Sequence, residues 1–450
     1  MGQVFTAGSL QATLTNDGFE IRKWEEIEKK VLSRAGQDPG PGRPAQLNLI
    51  GGEKDNMKKS IWAALVLCLG LAGEALAVSV PDGTVSVQDS YTATETDESA
   101  VEVSGTAKVT IEKANIQKTS GEASSADASS FRGVNAAVRV YEQGELTLSD
   151  SEITAEAPNA TGVFAYEDGV IVLEDCTVTV SGGGAGGVQV AGGGTLTGHN
   201  LTVTSASKAA IRSDRGGGTM VLDGGTYRST GKNGCPAIYS TADITVSNAQ
   251  CLSEQSRAVI IEGKNTVTLE NVTIEGNDQS TKEGSVKANV LLYQSASGDA
   301  SEGTSVFTMT GGEMTARSGA MFYCTNTSSI INLKQADLNL SDSGELLIVS
   351  AGRWGKDGKN GGQCTLNAEQ QTLKGTISVD GLSSLAIQMT GSELTGSINS
   401  DGEGGDVDID MDADSKWTLT GDSHIRSFSG KLENVEANGH HLFVDGTQVL

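Results

Sequence analysis

Residues 267–276 read VTLENVTIEG, with apolar Val267, Leu269, Val272 and Ile274 spaced by polar residues around Asn271. Alternation at period two marks a strand with one buried face. Asn271 interrupts it with a residue type that tolerates the left-handed backbone, which turns the chain through a corner between two short strands. Two such strands cannot bury an apolar face alone, so the reading depends on whether the unit repeats.

It repeats through most of the chain. Apolar-x-apolar, four residues, then apolar recurs as Val109/Ile111 with Ile116, Leu146/Leu148 with Ile153, and Ile171/Leu173 with Val178, then more weakly at Leu196 with Leu201. Further copies are Met220/Leu222 with Tyr227, Ile244/Val246 with Cys251, Phe307/Met309 with Met314, Ile331/Leu333 with Leu338, and Ile387/Met389 with Leu394. From Leu148 the steps are 25, 23, 26, 24 and 23 residues to Leu269, then 40, then 24 to Leu333; longer steps imply loop insertions or a missed turn. The corner position holds Asp150, Asp175, Gly198, Gly224, Asn248, Asn271, Gly311 or Gly391. The next residue is mostly small, as at Ser151, Cys176, Gly225, Ala249, Gly312, Ala336 and Ser392, which suits an inward corner. An upstream apolar pair, such as Val138/Val140, Val163/Ala165, Val188/Val190 or Val259/Ile261, adds a third strand. About three short strands in ~24 residues is a solenoid period. Stacked coil on coil, they make an all-β, single-stranded parallel β-helix.

Units such as VTLENVTIEG and FTMTGGEMTA make residues 99–430 resemble the right-handed parallel β-helix (pectate-lyase-like) superfamily, and within it bacterial adhesin-like surface proteins. The handedness is implied by that resemblance alone. So are three functional expectations: a non-enzymatic protein binding a glycan or a host or cell-surface protein, a polysaccharide lyase or glycoside hydrolase, and an inert structural stalk. Polygalacturonase-type members carry Asn-x-Asp, Asp-Asp, Gly-His-Gly and Arg-x-Lys on successive coils; the nearest echo here is Gly198-His199-Asn200. Lyases of this fold use calcium-binding acids with an Arg or Lys base, and Arg139 and Arg212 have no matching acidic cluster beside them on successive coils. The non-enzymatic reading is preferred and no catalytic residue is assigned.

In coil order, the outward positions of the first strand are Arg139, Phe164, Gln189, Arg212, Tyr239, Ile260 and Leu291, and Tyr141 and Tyr166 share a position one repeat apart. Aromatic and Arg side chains on an open sheet stack on sugars or anchor a protein partner. Arg139, Tyr141, Phe164, Tyr166, Arg212 and Tyr239 are therefore the candidate partner-binding residues. An ordinary sheet surface, with aromatics shielding the backbone, competes with that reading. On either reading Phe164 and Tyr239 should be removable without loss of stability.

Residues 405–414, GDVDIDMDAD, place Val407, Ile409, Met411 and Ala413 on one strand face and five aspartates on the other. An EF-hand counted from Asp406 needs Gly and Glu where Met411 and Trp417 stand. Same-face neighbours ~7 Å apart cannot wrap one ion. The expectation is a solvent-facing or edge strand. Weak calcium binding at Asp406, Asp408 and Asp410 is left to extra ligands from Glu403 or a neighbouring coil, and no other cofactor is expected. Cys176, Cys251, Cys324 and Cys364 fall on inward positions as small apolar residues, and Cys235–Cys251 is the pairing to check. The sequon residues Asn159, Asn200, Asn271 and Asn326 read as turn asparagines beside strand threonines. Thr154, Thr179 and Thr202 form a threonine row that Arg228 and Leu252 interrupt.

The net charge of −25 makes nucleic acid and anionic membrane poor partners. Met57-Lys58-Lys59, the uncharged run from Ile61 to Gly73, and Ala75-Leu76-Ala77 form an internal signal peptide over 57–77, cleaved at the Ala75/Ala77 motif. The run is shorter than the ~20 residues that span a bilayer. Residues 1–56, with helical spacing at Ile21, Trp24, Ile27 and Val31 and a Pro/Gly linker from Asp38, read as an upstream non-mature segment. The mature chain then has a lead-in (78–98), the β-helix (99–430) and a C-terminal β segment (431–450). It is expected to be secreted or cell-surface, monomeric and not membrane-spanning.

Overall fold

The computed structural model describes residues 3–7, 10–15, 18–22, 78–80, 86–87 and 90–450, except 233, 234 and 283, with side chains from Ser90 onward. The chain divides into two units, 1–76 and 77–450. In the first, Gln3–Ala7, Leu10–Thr15 and Gly18–Arg22 pair antiparallel as a meander. Ile21 and Arg22 thus end a strand, and the rest of the expected helix lies outside the described residues. So does the signal peptide, Ala75 and Ala77 included.

The second unit is a parallel β-helix with three ladders. Face one is a 12-stranded parallel sheet from Val78–Val80 to Thr376–Val379. Face two carries the apolar-x-apolar strands, from Ser86–Val87 and Lys108–Glu112 to Asp406–Met411 and Ser427–Ser429. Face three follows each corner. Faces two and three merge into one 22-stranded sheet because Gly194–Ser205 and Gly218–Lys232 run round the corner unbroken. Ser423–Ile425, Leu442–Val444 and Thr447–Gln448 form a small separate sheet near the C-terminus that ends in an antiparallel pair.

Register settles the irregular steps. Leu269 lies against Met309, so the 40-residue step is an insertion within one coil. Leu333 lies against Ala368, revealing a coil that the sequence pattern passes over: Cys364, Leu366 and Ala368, with Leu373 on face three. Leu173 lies against Gly198 rather than Leu196. Gly198 therefore occupies an inward site, where an added Cβ would meet the Leu201 and Leu222 side chains at 2.6 and 2.7 Å. The corner of that coil is Asn200.

Asp150, Asp175, Gly224, Asn248, Asn271, Gly311 and Gly391 take the left-handed corner expected of them, and Asn200 takes it in place of Gly198, all with φ between 48° and 72°. The corners also bond along the axis: Asn200 Nδ2 donates to Asp175 Oδ1 at 2.6 Å, and Asn248 Nδ2 to Asp223 Oδ1 at 2.7 Å. The four sequon asparagines are left-handed too, at φ 51–56°, so backbone geometry accounts for each. The threonine row continues two residues further on than expected: Thr154 aligns with Thr179 and Thr204, while Thr202 aligns with Thr177.

Inward side chains form one continuous apolar column, in which Tyr227, Phe307 and Trp417 are fully buried. Buried polar atoms need partners. Tyr227 Oη donates to Gly224 O at 3.2 Å and Trp417 Nε1 to Gly396 O at 3.1 Å. Among the described residues face three breaks once, between Asp337–Asn339 and Thr372–Lys374. There the Gln371 amide replaces strand pairing, accepting from Ala336 N at 2.8 Å and donating to Ala336 O at 2.7 Å. The break leaves a groove of ≈ 350 Å³ lined by Glu313, Asp337, Asn339, Thr372 and Lys374.

Candidate functional site

The outward residues of face one stand in the expected order: Arg139, Phe164, Gln189, Arg212, Tyr239, Ile260 and Leu291 align coil by coil. The expectation that they form an open sheet surface is overturned. Phe164 is fully buried, and Gln189, Ile260 and Leu291 are buried. Alternation tells which side of a strand a residue faces, not whether another segment lies there. Here the long insertions fold back over face one.

The first cover is a helix, Ala126–Arg132, capped by Ser125 at its start and by left-handed Gly133 (φ 66°) at its end. Phe164 packs with Ala136, Ala191 and the partly buried Tyr166 against Gly133. Beside it, Arg139 donates to Arg132 O at 2.9 Å and to Glu102 Oε2 at 3.3 Å, and stacks 4.0 Å over Tyr141. Tyr141 Oη donates to Glu102 Oε1 at 3.1 Å. Burial raises the Tyr141 and Tyr166 phenols above their usual range, so both remain hydroxyl donors at neutral pH.

Two polar nests lie further along the face. In the first, Arg212 grips Asp214 with two bonds (2.7 and 3.1 Å) and sits 4.5 Å over the Tyr239 ring. Gln189 Nε2 bridges Asp214 and Ser130 O, both at 2.8 Å, and Lys208 Nζ donates to Ser130 Oγ at 2.7 Å. Burial, with the Arg212 charge nearby, pushes the Lys208 ammonium down to about 8. In the second nest, buried Glu262 accepts from Tyr239 Oη (2.5 Å), Tyr293 Oη (2.8 Å), Ser295 Oγ and Ser297 Oγ (3.3 Å). Burial lifts both phenols, which keeps them protonated donors to the carboxylate. The nests fasten the helix and the 294–303 loop onto face one.

A glycine-rich loop, 350–362 (SAGRWGKDGKNGG), forms the next cover. Half-buried Trp354 packs on Tyr293 with ring centroids 5.1 Å apart, and exposed Arg353 stacks over it at 4.2 Å. Beneath, a small hollow of ≈ 10 Å³, room for about one water, is lined by Arg257, Val286, Leu291, Tyr323, Arg353 and Trp354. Exposed Arg353, Lys356 and Lys359 put three cations on this loop in a strongly acidic chain. The structure thus brings Arg212 and Tyr239 together with Lys208, Asp214, Glu262 and Tyr293, which the sequence pattern did not single out. A signal was present: Asp214 and Glu262 stand two residues after the tracked positions Arg212 and Ile260.

The aspartate strand Asp406–Met411 buries Val407, Ile409 and Met411, as alternation requires. It is not an edge, because it pairs with Ser384–Thr390 on one side and Ser427–Ser429 on the other. Arg426 bridges Asp406 (2.7 Å) and Asp408 (2.9 Å), placing a guanidinium where a cation would sit, and lowers the Asp408 carboxyl. Among the described residues no group of three or more His, Cys, Asp or Glu is placed to hold a metal. All five cysteines after residue 77 are buried and free. Cys235 Sγ donates to Ser207 O at 2.5 Å rather than meeting Cys251, and the thiols in contact are Cys324 and Cys364.

Among the described residues no helix is long and apolar enough to cross a membrane. Comparison with family models, curated proteins and solved structures yields no match.

Proposed function

We propose that the chain is a secreted or cell-surface β-helical protein of the pectate-lyase-like, adhesin-like kind, which binds a glycan or a surface partner without catalysing a reaction. One observation carries the reading: the insertions that break the repeat pack over face one. In a solenoid each coil needs only its neighbours, so covers held by buried ion pairs and a four-donor carboxylate are not needed to build the stack. They fix a particular outer surface instead. Its rim displays the Arg353–Trp354 pair beside Lys356 and Lys359, and Trp and Arg are the residue types that dominate recognition surfaces. The sequence-derived candidates support this surface from below: Phe164, Tyr166, Arg212 and Tyr239 hold the covers, and Arg139 and Tyr141 brace the helix end.

The test is glycan-array binding of the full chain, run beside reducing-sugar and unsaturated-product assays. Binding that falls at least ~10-fold in Trp354→Ala, with an unchanged melting temperature, supports the proposal. Product release from any polysaccharide overturns the non-enzymatic part. Binding indifferent to Trp354 and Arg353 overturns the assignment of the surface.

A further inference from the structure

We propose that Cys324 and Cys364 form an intrachain disulfide across the lumen of the β-helix. Cys324 points inward from the face-one strand Ala320–Thr325, and Cys364 points inward from the face-two strand Gln363–Glu369 of the next coil. Their sulfurs are 3.5 Å apart, both side chains are buried, and 40 residues of sequence separate them. No other described cysteine faces a thiol: Cys176 donates to Leu148 O and Glu174 O, Cys235 donates to Ser207 O, and Cys251 stacks between Tyr227 and Ile274. The segment the bond would close contains the glycine-rich 350–362 loop, so the staple fixes the coil that presents Arg353 and Trp354. The inference stands on the thiol pair alone and does not need that loop to bind anything.

The chemistry requires an oxidant, and a small-molecule disulfide such as oxidised glutathione supplies it. One cysteine thiolate attacks the disulfide, forming a mixed disulfide and expelling one thiolate. The other cysteine thiolate then displaces the second. Two cysteine thiols and one external disulfide become one protein disulfide and two external thiols. In the closed fold, contact with Cys324 and burial push the Cys364 thiol up, which keeps it protonated and unreactive. The exchange therefore runs while this coil is open, during folding or local unfolding, and the product is then sealed in the core.

The experiment unfolds the full-length chain and refolds it in oxidised glutathione, with a parallel native sample held in the same buffer plus sub-denaturing urea. Free thiols are alkylated, and peptides are mapped by mass. The expected result is a Cys324–Cys364 cross-linked peptide in both samples, with Cys176, Cys235 and Cys251 alkylated. Unfolding the oxidised wild type in dithiothreitol and refolding it reduced should then lower its melting temperature by about 4 °C, the scale for a loop of this length. The same treatment should leave Cys364→Val and Cys324→Ala unchanged. Recovery of both cysteines as alkylated peptides in both samples, or a cross-link to any other cysteine, overturns the proposal. So does a cross-linked protein whose melting temperature is unchanged by that reduced refolding.

Discussion

Phe164→Ala separates a covered face one from an open one. The ring is fully buried although it points away from the lumen, and a Cβ added at Gly133 would lie 2.4 Å from its Cγ. Truncating a buried Phe costs about 3–5 kcal/mol through lost transfer energy and the cavity left behind. The helix above it has only seven residues, and its other attachments are single contacts: Gln189 Nε2 to Ser130 O, Lys208 Nζ to Ser130 Oγ, Ser129 Oγ to Asn159 O, Arg139 Nε to Arg132 O, and Arg215 over the Phe131 ring. Most of the loss should therefore appear as local opening of the helix rather than failure of the stack. At about 1.4 kcal/mol per decade, a 3 kcal/mol loss raises the open population on the order of 100-fold. Trypsin cleavage after Arg132 under native conditions reads that population when reclosing outpaces cleavage. The rate should rise by about two decades in Phe164→Ala and stay put in Val221→Ala, whose side chain is an exposed outward one on face two. A rise of less than about threefold would mean that the helix does not rest on Phe164, and the covered-face argument fails with it.

Lys113 is an ordinary residue held at a left-handed corner (φ 55°), one coil from Asp150 at the equivalent corner. Lys113→Asn relieves that strain and can repeat the Asn–Asp bond of the Asn200 corner, so urea denaturation should show about 0.5–1 kcal/mol of added stability; a loss would contradict the corner energetics. Lys208 gives up its proton from about 8 in the fold and near 10.5 when unfolded, so the unfolded chain binds more protons between those values. Wild-type stability relative to Lys208→Met should rise by up to about 2 kcal/mol from pH 7 to pH 9.5, and parallel pH profiles would refute the burial of that ammonium. Arg426→Gln unpairs Asp406 and Asp408, so its melting temperature should fall and be partly restored by millimolar Ca²⁺, while the wild type ignores the ion. Equal calcium responses in the two proteins would count against Arg426 as the resident cation.

The coil was legible because its determinants are local. Period-two alternation names the inward residues, and residues that tolerate the left-handed backbone name the corners, so Asn271 and Asp150 could be placed from sequence alone. The pattern faltered where a coil used weak residues: Cys364-Thr-Leu366-Asn-Ala368 lacks the bulk that marks a core strand, and Gly198 fills an inward site by being small. The covers were not legible, because an insertion has no period to carry its position. Nothing in Phe164 itself announces that residues 126–132 lie over it, and Trp354 reaches Tyr293 from a loop whose sequence marks only glycine and charge. Arg426 likewise had to be brought beside Asp406 and Asp408 by the turn of a whole coil.

The break in face three has a consequence for how the stack comes apart. Stability in a solenoid is a sum of coil terms and nearest-neighbour junction terms. Where the Gln371 amide stands in for strand pairing, the junction keeps the ladders of faces one and two but loses the third. That makes it a thin rung of the column, and the last one met on the way from the C-terminus toward the fully laddered coils. Disassembly that starts at the C-terminal cap should peel coils back to this seam and halt, because every junction beyond it is fully laddered. The protein would then retain a shortened stack that keeps the helix-covered end of face one while shedding the aspartate strand.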